Sequence, residues 1–82
     1  MNFSEKFETL LLPLLEPLGL AWWVEVNTAQ PCCTYYFGPF ATAKNAKLAQ
    51  FGYLEDLAQE GSQINSVEVR QCQPKALTIA SD

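Results

Sequence analysis

Two runs of alternating residues lie close together in the chain: AWWVEVNT over residues 21–28 and CTYYFG over residues 33–38. In the first, Trp22, Val24, Val26 and Thr28 fall on one side, while Trp23, Glu25 and Asn27 fall on the other. That is the period of a half-buried strand. Ala29, Gln30 and Pro31 leave room for only a short turn, so the two runs are predicted to pair as an antiparallel hairpin. In the second run Cys33, Tyr35 and Phe37 are assigned inward, and Thr34, Tyr36 and Gly38 outward. Gly38-Pro39 is predicted to end the strand, because proline has no N–H to give to a ladder.

The remaining elements must supply a cover for that hairpin. Phe3, Phe7, Leu10, Leu11, Leu14, Leu15 and Leu18 recur at spacings of three and four, the apolar stripe of a helix. Asn2 or Ser4 can cap its start, and Glu5 and Glu8 suit the positive end of its dipole. Pro13 removes a backbone donor and crowds the preceding turn. The helix is therefore predicted over residues 4–12, with a kink or short turn to Glu16, closed by Pro17 and Gly19. Thr42 is placed to cap a second helix, Gly52 is a point where that helix can break, and Gly61 suits its end. Tyr53, Leu54, Leu57 and Ala58 form its apolar stripe. A third strand over residues 66–72, SVEVRQC, points Val67 and Val69 inward and Glu68 and Arg70 outward. Pro74 breaks it, and the tail KALTIA has the alternation of a short edge strand through Leu77 and Ile79.

These readings give an α+β fold: a two-layer sandwich with a three-stranded antiparallel sheet in the order 2-1-3. The N-terminal helix and the second, breakable helix are expected on one face, and residues 1–82 are expected to form a single small globular domain. A chain of 82 residues buries only about 60–65% of its unfolded surface. Its composition of 49% hydrophobic and 17% charged residues is that of a folded domain rather than a disordered one.

Several function classes are disfavoured. The net charge is −4, and Lys6, Lys44, Lys47, Arg70 and Lys75 are scattered, which argues against nucleic acid as a partner. The most apolar stretch, residues 10–24, contains Pro13, Glu16 and Pro17 and is too short and too broken to span a bilayer. No secretory pattern is evident at the start, so a cytoplasmic protein is expected, with no membrane partner. Three cysteines and no histidine suit neither a disulfide framework nor the common mixed zinc sites, and no metal or cofactor is expected. The chain has no phosphate-binding glycine loop and no nucleophile elbow. Glu55 and Asp56 are adjacent on a helix and point in different directions. No catalytic residues are assigned, and a non-enzymatic role is expected.

What stands out is the outer face of the sheet. If helices cover one side, Trp23, Glu25, Thr34, Tyr36, Glu68 and Arg70 share the other. These side chains can simply cover one another under the C-terminal tail. They can also form a docking patch, since Trp, Tyr and Arg dominate interface energetics. On the second reading Trp23, Tyr36, Glu25 and Arg70 are the partner-binding residues, for a protein whose identity the sequence leaves open or for a second copy closing a homodimer. The alternative is a thiol-based redox responder using Cys33 or Cys72, which requires an accessible thiol of low pKa.

The blocks WWVE, TYYFGPF and GYLEDL, followed by CQPKALTI, occur in that order. Over residues 18–79 the chain resembles a small cyanobacterial family of domains of unknown function. The resemblance implies a cyanobacterial, cytoplasmic origin and brings no catalytic residues with it. The segment YYFGPFATAKNA also has a looser likeness to the sporulation-related repeat that binds peptidoglycan, where a strand ends in a G-x-F turn before a helix.

Overall fold

The computed structural model describes residues 10–30 and 32–80. Helix α1 (residues 10–15) tightens into a 3-10 turn, Glu16–Leu18. Strands β1 (Trp22–Gln30) and β2 (Cys32–Phe40), helix α2 (Ala43–Gln59), and strands β3 (Gln63–Gln71) and β4 (Thr78–Ala80) follow. The sheet is antiparallel throughout, in the order β3-β1-β2-β4. The α+β class stands, but the sheet has four strands where three were expected. The tail supplies the fourth: Thr78, Ile79 and Ala80 pair with Tyr35, Thr34 and Cys33 at the outer edge of β2.

Local chemistry accounts for most boundaries. Gly19 closes the 3-10 turn in the left-handed region at φ 71°, its N–H donating to the Glu16 carbonyl. Thr42 Oγ1 accepts from the Asn45 N–H at 3.1 Å and so caps α2. At the other end Gly61 N donates to Ala58 O and Ser62 N to Leu57 O, both at 3.0 Å, with Gly61 at φ 87°. That pair of bonds is a Schellman motif, which satisfies carbonyls the helix leaves open.

Most of the helix expected over residues 4–12 lies outside the described residues; within them Pro13 sits in the helical turns of α1, and the short turn that follows is closed by Gly19. Two expected breaks do not occur where they were placed. Gly52 does not divide α2, which runs unbroken for 17 residues. Tyr53, Leu54 and Leu57 pack into the core beside it, and that burial outweighs the roughly 1 kcal/mol glycine penalty. Pro39 does not end β2, because a bulge accommodates it. Trp22 pairs with Phe40 and Val24 with Phe37, so Gly38 and Pro39 together oppose Trp23.

The core lies between α2 and the inner face of the sheet. Val24 and Val26 are fully buried in the central strand, with Ala46 and Leu57 of α2 against them. Trp22, Tyr35, Phe37, Val67 and Val69 surround this centre, as the alternation predicts. Tyr53 stacks on Phe37 with centroids 4.3 Å apart and 9° between planes, and it meets Phe40 at 6.4 Å. The apolar stripe expected on α1 is corrected in part: Leu11 and Leu15 are half-buried, but Leu10, Leu14 and Leu18 are 74%, 66% and 71% exposed, and Phe3 and Phe7 lie outside the described residues.

Candidate functional site

The outer face carries a continuous polar network across β3, β1 and β2. Glu25 stands opposite Tyr36 on one neighbour and Glu68 on the other. Arg70 Nη1 donates to Glu25 Oε2 at 2.9 Å. The Tyr36 side chain is hydrogen-bonded to the same carboxylate. Asn27 Nδ2 donates to Ser66 Oγ at 2.9 Å and reaches Glu25 Oε1 at 3.4 Å, while Thr34 Oγ1 donates to Asn27 Oδ1 at 2.6 Å. Period-two alternation had placed Asn27 and Thr34 on this face; the link they make from Glu25 to Ser66 depends on strand register.

Of the four residues assigned to partner binding, all share this face, but they are not equally available. Arg70 is exposed and Tyr36 half-buried, whereas Trp23 and Glu25 are 6% and 7% exposed. The expectation that Trp23 lies open to solvent is therefore corrected. Two features bear on its burial. Below the ring, Gly38 has no side chain, and a Cβ there would lie 3.0 Å from Trp23 Cε3, so the indole rests against the bulge. The second feature follows from the topology. β3 and β4 occupy opposite edges, so residues 72–77 must cross the width of the sheet. Three strand spacings amount to about 14 Å, and six residues span at most about 20 Å, which leaves little slack. Helix α2 packs on the inner face, and Cys72, where this strap begins, is within electrostatic reach of Glu25, Tyr36 and Arg70 on the outer one. The strap is tied at both ends, Cys72 N to Ala21 O at 3.2 Å and Tyr36 N to Leu77 O at 2.8 Å. Trp23 Nε1 is buried without a hydrogen-bond partner.

Burial alone would raise the Glu25 pKa. The hydrogen bonds from Tyr36, Arg70 and Asn27, with the arginine charge, outweigh burial and hold the carboxyl below its usual 4.5. Tyr36 is pushed above its usual 10.0, first by its bond to Glu25 and then by burial. The signs are opposite at the two ends of the pH scale. Glu25 contributes stability that is present above the ordinary carboxylate range and is lost as pH falls through its lowered value. Tyr36 contributes stability that is present below 10.0 and is lost as pH rises through its raised value. Melting temperatures of the native protein and a Glu25→Gln variant should therefore lie apart at neutral pH and converge as pH drops below 4.5. A gap that stays constant on acidification would show that Glu25 is not held in the charged form by the fold.

The cysteines are not brought together. Cys33 pairs with Thr28, and Cys72 bonds to Ala21, about 20 Å away along β1. A disulfide needs Cα atoms within about 7 Å. Burial pushes the Cys72 thiol up, and Glu25 adds to that against the opposing pull of Arg70. Cys33 shares a hydrogen bond with Tyr35, which raises the tyrosine. Among the described residues no group of three or more His, Cys, Asp or Glu side chains is placed to hold a metal ion, and no helix is long and apolar enough to cross a membrane.

No curated protein and no solved structure matches the chain. A family model does, over residues 15–79, a span that takes in β1, the bulge, α2, β3 and the strap. The chain belongs to the family described as Domain of unknown function (DUF1816).

Proposed function

We propose that this domain is a non-enzymatic protein–protein interaction module, working in the reducing cytoplasm where its three free cysteines remain thiols. One observation carries the reading: Leu10, Leu14 and Leu18, spaced by four, turn to water along α1 and the 3-10 turn. Leu11, Leu12 and Leu15 are half-buried on the other side of the same turns. A helix with apolar residues on its open side has surface to bury against a partner, as in helix-in-groove recognition. The outer sheet face supports the reading less. Arg70 and Tyr36 remain accessible there, but their polar groups are engaged with Glu25, and Trp23 lies beneath.

The redox alternative finds weaker support, because the Cys72 thiol is shifted away from the reactive form and lies far from Cys33. The test is a Leu14→Glu variant compared with the native protein as immobilised bait in a native extract. The variant should lose the native protein's specific partners. Its unfolding free energy should change by less than about 0.5 kcal/mol, as for other exposed positions. Retention of the same partners, or unfolding of the variant, would remove the proposal.

A further inference from the structure

β3 is the outermost strand on its side of the sheet, and among the described residues no strand pairs with its outer edge. Edge strands are commonly blunted by charged side chains (lysine above all), proline, shortness or a bulge; here the charges are one of each sign, Glu68 and Arg70. Residues 63–71 contain neither proline nor lysine, and the strand is nine residues long. A bulge is present: Asn27 pairs with Ser66 and Thr28 with Ile64, which leaves Asn65 out of register. Beyond it, residues 66–71 form a regular edge.

The geometry points to a second copy of this chain as the occupant of that edge, with the two β3 strands pairing antiparallel about a two-fold axis at Val69. The argument is one of register. Residues directly opposite must share a face, so a two-fold axis between identical strands passes through a residue. The middle of the regular edge falls between Glu68 and Val69. An axis at Glu68 sets two carboxylates against each other, which is unfavourable. An axis at Val69 sets Glu68 opposite the partner's Arg70, and Arg70 opposite the partner's Glu68. Arg70 is 53% exposed while anchored on Glu25, and a guanidinium has donors for a second carboxylate.

The strand edge supplies backbone hydrogen bonds across the axis, and the two Glu68–Arg70 pairs supply the charge complementarity. The two four-stranded sheets become one continuous sheet across the axis. This surface is separate from the α1 leucines, so the two proposals fail independently.

Sedimentation equilibrium of the full chain, from low micromolar to near-millimolar concentration, tests it. The native protein should approach twice its 9.2 kDa mass. Glu68→Arg places two arginines opposite one another at each pair and should weaken association at least about tenfold. Gln63→Arg, beyond the bulge and outside the paired stretch, should leave it unchanged, and so should Leu14→Glu. Circular dichroism checks that each variant is folded. A native protein that stays at 9.2 kDa throughout, a Glu68→Arg variant that associates as tightly as the native chain, or a Gln63→Arg variant weakened as much as Glu68→Arg would each overturn the assignment.

Discussion

Replacing Gly38 by alanine is expected to cost about 3 kcal/mol or more and to lower the melting temperature by roughly 12–20 °C. Two effects combine at this position. Gly38 has φ 153°, a conformation that side-chain-bearing residues rarely adopt. A Cβ there would also lie 3.0 Å from Trp23 Cε3 and 3.1 Å from the Trp22 carbonyl oxygen. The carbonyl is part of the β1 backbone and cannot swing aside as a flexible side chain would. The indole is 6% exposed and has little space to retreat into. A domain of this length has only about 4–12 kcal/mol in total, so the loss is a large share of it. Thermal unfolding followed by circular dichroism measures it directly. A shift below about 3 °C would show that the bulge can relax, and that Trp23 is not held against Gly38.

The second large effect is Trp23→Ala, expected to cost about 3–5 kcal/mol, as for other buried aromatic truncations. The value discriminates between two arrangements. An indole on an open sheet face would cost less than about 0.5 kcal/mol to remove. An indole buried against the Gly38 bulge leaves a cavity when truncated. Trp23→Phe sharpens the comparison. It keeps a ring against Gly38 and deletes the buried Nε1–H that has no partner, a group whose desolvation costs about 1–3 kcal/mol. The phenylalanine variant should therefore recover more than half of the stability lost in the alanine variant. Equal losses in both would show that contacts specific to the indole, rather than ring burial, hold this region.

What was legible in the sequence was whatever depended on neighbours along the chain. The alternation through Trp22, Val24 and Val26 gave the inner face of β1 correctly, and it paired with Tyr35 and Phe37 as expected. Thr42 and Gly61 were readable as helix ends because capping needs only three or four residues. Gly52 and Pro39 each break an element in isolation, but core packing of Tyr53, Leu54 and Leu57 carries α2 past Gly52, and a bulge opposite Trp23 takes up Pro39. The outer face shows the same division. Period two placed Trp23, Glu25, Tyr36 and Arg70 together, and they are together. Their exposure was beyond the reach of that argument, because it depends on where residues 72–77 travel. The alternation of KALTIA suggested a short edge strand, but only its pairing with β2, on the edge opposite β3, sends residues 72–77 across the sheet.

The seat of Trp23 against Gly38 bears on how the domain comes into being. Ribosomes deliver a chain from its N-terminus, so β1 and β2 emerge together, with Gly38 already available to receive the indole. A hairpin of two strands is marginal by itself in water, so the glycine notch that receives the indole becomes fixed only when α2 and β3 have joined it. The tryptophan's seat is thus local in sequence but late in formation.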